Sequence, residues 1–401
     1  MPRSGRLSLS PDRVATAGAL FALAGIVLLP LVSLRPNRLV NGVAFYLWSP
    51  GVGPVAWLLP VLAALALAFA LVTMDSSRVW RGVSLQACMA AMLVALAWVL
   101  GATAARLVAP DVAGYARVSV GAGSWLYITG AAVISFAAGK RAYGGRAARA
   151  LIGVAAAVGV GAALAWGGLS HLSIFVEYQA QTVLFWTATL QHFSLAASAL
   201  LAGALIGIPL GVLSARNRTV RDVALGVTGV IQTFPSLALL GLLIVPLATL
   251  SATYPVLRML GVKGIGAAPA IFALTLYALL PIVRNTYVGL VGVDSASVDA
   301  GRGMGMGRGQ LLWRVEMPLA LPLILEGLRA AAVLVIGIAV VTALVGAGGL
   351  GVIIFLGLGQ QADDLIVLGA VPVILLAVFA DALVRGVGAM TVSPGVRREQ
   401  P

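Results

Sequence analysis

Ten stretches of roughly 20 apolar residues alternate along this chain with short polar breaks that carry arginine and glycine. They fall at 14–34, 54–74, 83–103, 118–138, 150–169, 192–213, 223–250, 267–290, 321–345 and 365–387. Each is near the ~20 residues a helix needs to cross bilayer hydrocarbon. The pattern predicts an all-α polytopic membrane protein with about ten transmembrane helices. The first run is too long for a secretory h-region and no A-x-A cleavage pattern follows it, so it reads as a retained helix. Two breaks depart from the short connections. A softer stretch at 170–191 holds His171, Glu177, Gln179, Gln181 and Trp186, and predicts an interfacial helix with Tyr178 and Trp186 at headgroup level. The break at 293–318, VDSASVDAGRGMGMGRGQLLWRVEMP, is the longest polar, glycine-dense one in the C-terminal half. Its mixture of Ala, Gly, Met, Leu and Trp with charges suits short amphipathic helices at a membrane surface, turning at Gly305 or Gly307.

Composition agrees with the pattern. Hydrophobic residues make up 61% and charged residues 10% of the chain, against about 25% charged in soluble domains. The net charge of +13 does not point to nucleic acid, because the basic residues sit in short loops between apolar spans. With ten spans, Arg35, Arg38, Arg106, Arg117, Arg258 and Lys263 fall on one side, and the rest of the 26 Lys and Arg fall on the other. That excess predicts a multi-pass protein of the cytoplasmic (inner) membrane with both termini and the 293–318 segment in the cytoplasm. The single cysteine, Cys88, lies in an apolar run and supports no disulfide or metal role.

The 293–318 segment resembles the EAA loop of permease subunits of bacterial ABC importers. Asp299-Ala300-Gly301 stands for Glu-Ala-Ala, Gly305 for the glycine, and Val315-Glu316-Met317-Pro318 for Ile-x-Leu-Pro, with the spacing intact and conservative departures at Asp299, Gly301, Val315 and Met317. The resemblance implies a coupling helix that docks on a separate cytoplasmic ATPase. Arg302 and Arg308 would form a charged rim, and Met304, Met306, Leu311 and Leu312 the apolar contact. The plain alternative is a surface connector. Three further stretches resemble the osmoprotectant branch of these permeases, for glycine betaine, choline and carnitine. They are Ile208-Pro-Leu-Gly-Val-Leu-Ser-Ala-Arg216, Ile231-Gln-Thr-Phe-Pro-Ser-Leu-Ala-Leu-Leu240 and Gly346-Ala-Gly-Gly-Leu-Gly351. Methionine-import permeases share part of this wording, so an amino-acid solute stays open. The family implies as partners a dimer of ATPase subunits, a second permease chain, identical or paralogous, an extracytoplasmic binding protein and membrane lipid.

The organisation expected from this is an N-terminal transmembrane extension over 1–170, an interfacial linker over 171–190, a five-helix permease core over 191–390 and a cytoplasmic tail over 391–401. Within the core, Gln232, Thr233, Pro235 and Ser236 are candidates for the wall of a translocation path. Pro235 removes a backbone donor, and irregular backbone at membrane depth is tolerated only inside protein or beside a watery cavity. A Pro kink satisfied by neighbouring helices explains the same letters. Glu326 and Arg329, and Asp381 and Arg385, are spaced to share a helix face and read as local pairs near the cytoplasmic boundary. No G-x-x-x-x-G-K-[ST], G-x-S-x-G, H-E-x-x-H or CxxC pattern occurs. The chain therefore reads as no enzyme, with no cofactor, no metal and no catalytic residue. A secondary transporter is the other class, and the scarcity of ionisable groups in mid-span counts against it.

Overall fold

The computed structural model describes residues 7–9, 12–36, 42–74, 78–108, 116–141, 146–166, 168–259 and 261–391; the tail from 392 onward lies outside them. The chain forms two compact units, Met1–Ala180 and Gln181–Pro401.

The first unit runs β1 (Leu7–Leu9), α1 (Arg13–Leu28), β2 (Val32–Arg35), β3 (Val43–Phe45), α2 (Leu58–Leu71), β4 (Val72–Met74), α3 (Arg78–Leu107), β5 (Arg117–Val120), α4 (Ala122–Arg141), α5 (Arg146–Ala165) and α6 (Ser173–Ala180). Asp12 starts α1 by accepting the amides of Val14 and Ala15 at 3.1 and 3.2 Å, which satisfies orphan donors of the first turn. The helix stops at Leu28, two residues before Pro30. Residues 32–34, expected as the end of the first span, instead form a strand with Arg35. It is the middle of an antiparallel sheet ordered β3-β2-β5, with Val32 opposite both Phe45 and Val120. The expected fourth span is trimmed in the same way, since 117–120 belong to that sheet. Helix α1 lies close on α4 through facing glycines. A Cβ on Gly18 would stand 2.8 Å from the carbonyl of Gly130, and one on Gly25 would stand 2.9 Å from that of Gly123. The core around them holds Ile26, Leu59, Leu85, Met92, Tyr127 and Ile134. Tyr127 hides its hydroxyl by donating to Leu59 O at 3.0 Å. Buried Glu177 on α6 pairs with Arg117 on β5.

The second unit runs α7 (Thr182–Arg216), α8 (Arg218–Thr233), α9 (Ser236–Thr253), α10 (Pro255–Met259), α11 (Ala267–Val291), α12 (Ser295–Gly303), α13 (Arg308–Leu311), a π turn (Leu312–Glu316), α14 (Met317–Ile338), α15 (Gly351–Gly359) and α16 (Asp363–Thr391). Helix α7 begins at Thr182, ten residues ahead of the expected sixth span, so only α6 remains as a short separate helix in the 170–191 stretch. The expected seventh span is two helices. Helix α8 is amphipathic and starts on an Asn217 cap, and α9 is the apolar one. Helix α7 rests on α11 along Gly203, Gly207 and Gly211, where a Cβ would stand 2.8, 2.9 and 2.5 Å from Ala278, Ile282 and Thr286. Small residues at four-residue spacing let helix backbones approach this closely in a membrane. On its other side α11 meets α14 at Gly289 and Gly327.

Among the described residues eight helices are long and apolar enough to cross a membrane, and two shorter apolar helices, Arg13–Leu28 and Ile152–Ala165, accompany them.

Candidate functional site

The 293–318 segment folds from its own letters. Asp294 caps α12 by accepting the Ser297 amide at 3.3 Å. The helix ends in a complete Schellman motif. Gly305 takes φ +78°, its amide donates to Arg302 O at 2.9 Å, and the Met306 amide donates to Gly301 O at 3.2 Å. Glycine suits this left-handed position because it has no Cβ penalty. Gln310 then accepts the Gly307 amide at 3.1 Å at the start of α13. The second half differs from the two separate short helices expected. Helix α13 passes through the π turn into α14, making one helical run over Arg308–Ile338.

Gly301 is buried, and a Cβ there would stand 2.7 Å from Leu311 Cδ1. The Ala-to-Gly departure at this position therefore accompanies a tight contact between α12 and α13. Leu311 is buried by it, which corrects the expectation that Leu311 faces a partner. Leu312 is half-buried beside a cluster of Leu290, Ala320 and Ile324 with Ile208 and Val212 of α7. The large apolar side chains that the segment exposes are Met304 and Trp313, at 70% and 69%. Trp313 was missed because its neighbours in sequence read as one amphipathic helix. Asp299, Ala300, Arg302, Gly305, Arg308 and Pro318 are exposed and Val315 is half-buried. Asp299 pairs with Arg302 at 3.0 Å on the surface. Glu316 is buried and pairs with Arg216, from the last turn of α7. This pair was not legible, because its members stand 100 positions apart.

The Gln232–Ser236 break is held by α11. The Gln232 amide donates to Tyr277 O at 3.1 Å, and Tyr277 Oη donates back to Phe234 O at 2.7 Å. Ile231 O, the carbonyl that a proline at 235 would free in a continuous helix, accepts the Phe234 amide at 3.2 Å. Thr233 and Pro235 are exposed and Ser236 is half-buried, and Thr233 donates to Val230 O at 2.7 Å. The structure thus brings Gln232 to α11 as a strut, and leaves the other three at the surface of the unit.

The Gly346–Gly351 stretch turns through three left-handed glycines, 346, 348 and 349. It docks on α7. Gln191 Oε1 accepts the Gly349 amide at 3.2 Å, and buried His192 places Nε2 3.0 Å from Ile336 O. On α14 and α16, the two local pairs join into one network. Arg329 bonds Glu326 and reaches Asp381 at 2.8 Å, and Asp381 also holds Arg385. Glu326, Arg329 and Arg385 border a surface cleft of about 320 Å³ with Pro322 and Val384. Among the described residues no three His, Cys, Asp or Glu side chains come together as a metal site would require.

Residues 207–389 match the family described as binding-protein-dependent transport system inner membrane component, and residues 12–175 match ABC transporter permease YehY, N-terminal domain. The chain is similar to the carnitine transport permease protein OpuCB of Listeria monocytogenes, 42% identical over 193 residues, which are 48% of this chain and 81% of that one. It is also similar to the glycine betaine/carnitine/choline transport system permease protein OpuCD of Bacillus subtilis, 43% identical over 192 residues, 48% of this chain and 77% of that one. A solved chain of the MetNI methionine ABC transporter in an inward-facing conformation shares 24% identity over 52% of this chain and 98% of its own, with a TM-score of 0.42.

Proposed function

The chain belongs to the binding-protein-dependent transport system inner membrane component family and is the multi-pass membrane permease of an ABC importer; from that premise we propose that the solute it passes is a quaternary-ammonium osmoprotectant such as glycine betaine, choline or carnitine. ATP hydrolysis belongs to a separate ATPase subunit, and importers of this family work with a substrate-binding protein. The observation that carries the solute reading is the 42–43% identity to permeases named for carnitine, glycine betaine and choline.

In this reading Gln181–Pro401 is the permease core and Met1–Ala180 an added membrane unit. Two permease chains, identical or paralogous, surround the path, and an ATPase dimer sits beneath them. The charge asymmetry of the loops supports both termini in the cytoplasm. The 293–318 segment docks on the ATPase with Met304 and Trp313 as its apolar anchors and Arg302 and Arg308 as the rim. Asp299 and Arg302 brace one another, Gly301 and Gly305 shape the turn, and Val315 and Pro318 lead into α14. Thr233, Pro235 and Ser236 line the path, while Gln232 fixes the break in register. Nucleotide closure and solute release favour different states of these elements, as coupling requires.

Uptake of labelled glycine betaine, choline, carnitine and methionine by cells expressing the whole importer tests the solute. Uptake of at least one of the first three is expected. Uptake of methionine alone would overturn the assignment.

A further inference from the structure

We propose that the Arg216–Glu316 ion pair is the joint through which the 293–318 segment moves α7, with Glu316 as a positioning residue for the coupling of hydrolysis to transport. The inference rests on the coupling reading above and names the contact that this reading leaves open.

The first support is burial. The Glu316 side chain is 6% exposed, and that of Arg216 is 49% exposed. A carboxylate taken this far out of water is costly unless paired, and removing its partner leaves the whole cost standing. Arg216 can return to water if the pair opens, but Glu316 cannot do so where it sits. Opening the pair would strand the buried carboxylate, so the pair stays closed as Glu316 moves and the end of α7 follows it.

The second support is the π turn that ends at Glu316. Trp313 and Glu316 are three apart, a spacing that puts both side chains on one face of an α-helix. Here Trp313 is turned outward and Glu316 inward. The wider π turn makes that division possible. Such turns cluster at functional sites, and conversion to α-helix would rotate Glu316 relative to Trp313. A push on Trp313 thus acts on the orientation of Glu316.

The third support is what α7 carries. Arg216 lies in its last turn, beside Ile208, Val212 and Ala215, which pack with Leu312, Met317 and Ala320 at the root of the segment. Further along, the same helix holds the glycine ridge against α11 and, near its start, Gln191 and His192 against the Gly346–Gly351 turn. One ion pair therefore reaches the helix that rests on α11, and α11 in turn holds the Gln232–Ser236 break.

The test uses the full importer reconstituted in liposomes, with wild type, Glu316→Gln, Arg216→Gln and the double reversal R216E/E316R at equal membrane levels. Three quantities are read: ATPase capture, ATP hydrolysis, and labelled glycine betaine, choline or carnitine taken up per ATP. Each single variant is expected to keep capture and hydrolysis within about twofold and to lose about tenfold in uptake per ATP, within the usual range of coupling between sites. The double reversal is expected to regain several-fold. Unchanged uptake per ATP in Glu316→Gln overturns the proposal. So does a loss of uptake that merely follows a loss of capture, or a double reversal that inserts normally and regains nothing. If the singles fail to accumulate, the double reversal decides alone. Failure of the wild-type permease to capture the ATPase would instead overturn the coupling reading itself, and this inference with it.

Discussion

Gly305→Val is the sharpest probe of the 293–318 segment, because the structure separates backbone from contact at that position. Gly305 has φ +78°, and a Cβ built on it meets nothing within 4 Å. The cost of a side chain inside this chain is therefore conformational. A side chain in the left-handed region costs about 1–2 kcal/mol, and a β-branched one falls in the upper part of the about 1–3 kcal/mol range of strained residues. The chain could escape by unwinding the end of α12, but it would then lose the Met306–Gly301 and Gly305–Arg302 hydrogen bonds, each worth about 1 kcal/mol net. Either route costs about 2 kcal/mol, or about thirtyfold in the affinity of a partner that needs the turn intact. Gly305→Asn should cost only a few-fold, since Asn visits the left-handed region, and Gly305→Ala should fall between. The assay is titration of the purified ATPase subunit against solubilised permease variants matched for membrane level. Full affinity in Gly305→Val would refute the docking role. An Asn variant as weak as the Val variant would refute the strain argument and place the partner's surface against Gly305.

Four other outcomes are expected. Asp299→Ala should weaken ATPase binding less than about fivefold, because its pair with Arg302 is exposed at both ends and such pairs are worth about 0–1 kcal/mol; a loss equal to that of Gly305→Val would show that Asp299 meets the partner directly. Tyr277→Phe strands the Phe234 carbonyl and should lower detergent thermostability by about 1 kcal/mol or more, an effect that disappears if water takes the hydroxyl's place. Gly211→Leu should lower the apparent Tm by several degrees through overpacking against Thr286, whereas Gly226→Ala, with open space around it, should be neutral or stabilising; equal effects would contradict the α7–α11 packing. In a Cys88→Ala background, Lys263→Cys should label with an impermeant thiol reagent from outside and Arg218→Cys should not, the opposite pattern refuting cytoplasmic termini.

The apolar runs made the helices of both units legible, because each helix in a membrane satisfies its own backbone and must be apolar over most of its length. What escaped is instructive. Residues 32–34 and 118–120 alternate Val or Leu with a single Ser, too mild a break to separate them by hydropathy from α1 and α4; only Pro30 and Gly121 mark the change to strand. Helix α7 looked shorter than it is because Gln181, Trp186 and Gln191 resemble an interface. Its partners at Gly348 and Gly349 sit more than 150 positions away. Helix α8 was joined to α9 because Val223, Val227 and Val230 lie on one exposed face of an amphipathic helix. In the 293–318 segment the turn at Gly305 follows from local chemistry and could be read directly, whereas the helix cap falls to Asp294, a residue the sequence reading did not single out. The burial of Leu311 could not be, since it depends on α12 folding back onto α13 at Gly301, nor could the exposure of Trp313 and the partner of Glu316, which depend on a π turn that no letter announces.

That π turn has a mechanical consequence. Because it joins α13 to α14 without a break, Arg308–Ile338 is a single rod of 31 residues. At ~1.5 Å per residue it is about 46 Å long, against about 30 Å of bilayer hydrocarbon. A rigid tilt of about 5° around its middle carries the two ends about 2 Å in opposite directions. The rod is then a lever with nearly equal arms, and it reverses the sense of whatever moves its Trp313 end. Near the far end lies Ile336, whose carbonyl is in contact with His192. A tilt imposed at one end of the second unit is thus passed on, with its sense inverted and less what the π turn and Pro322 absorb, to the region where α7 meets the glycine turn.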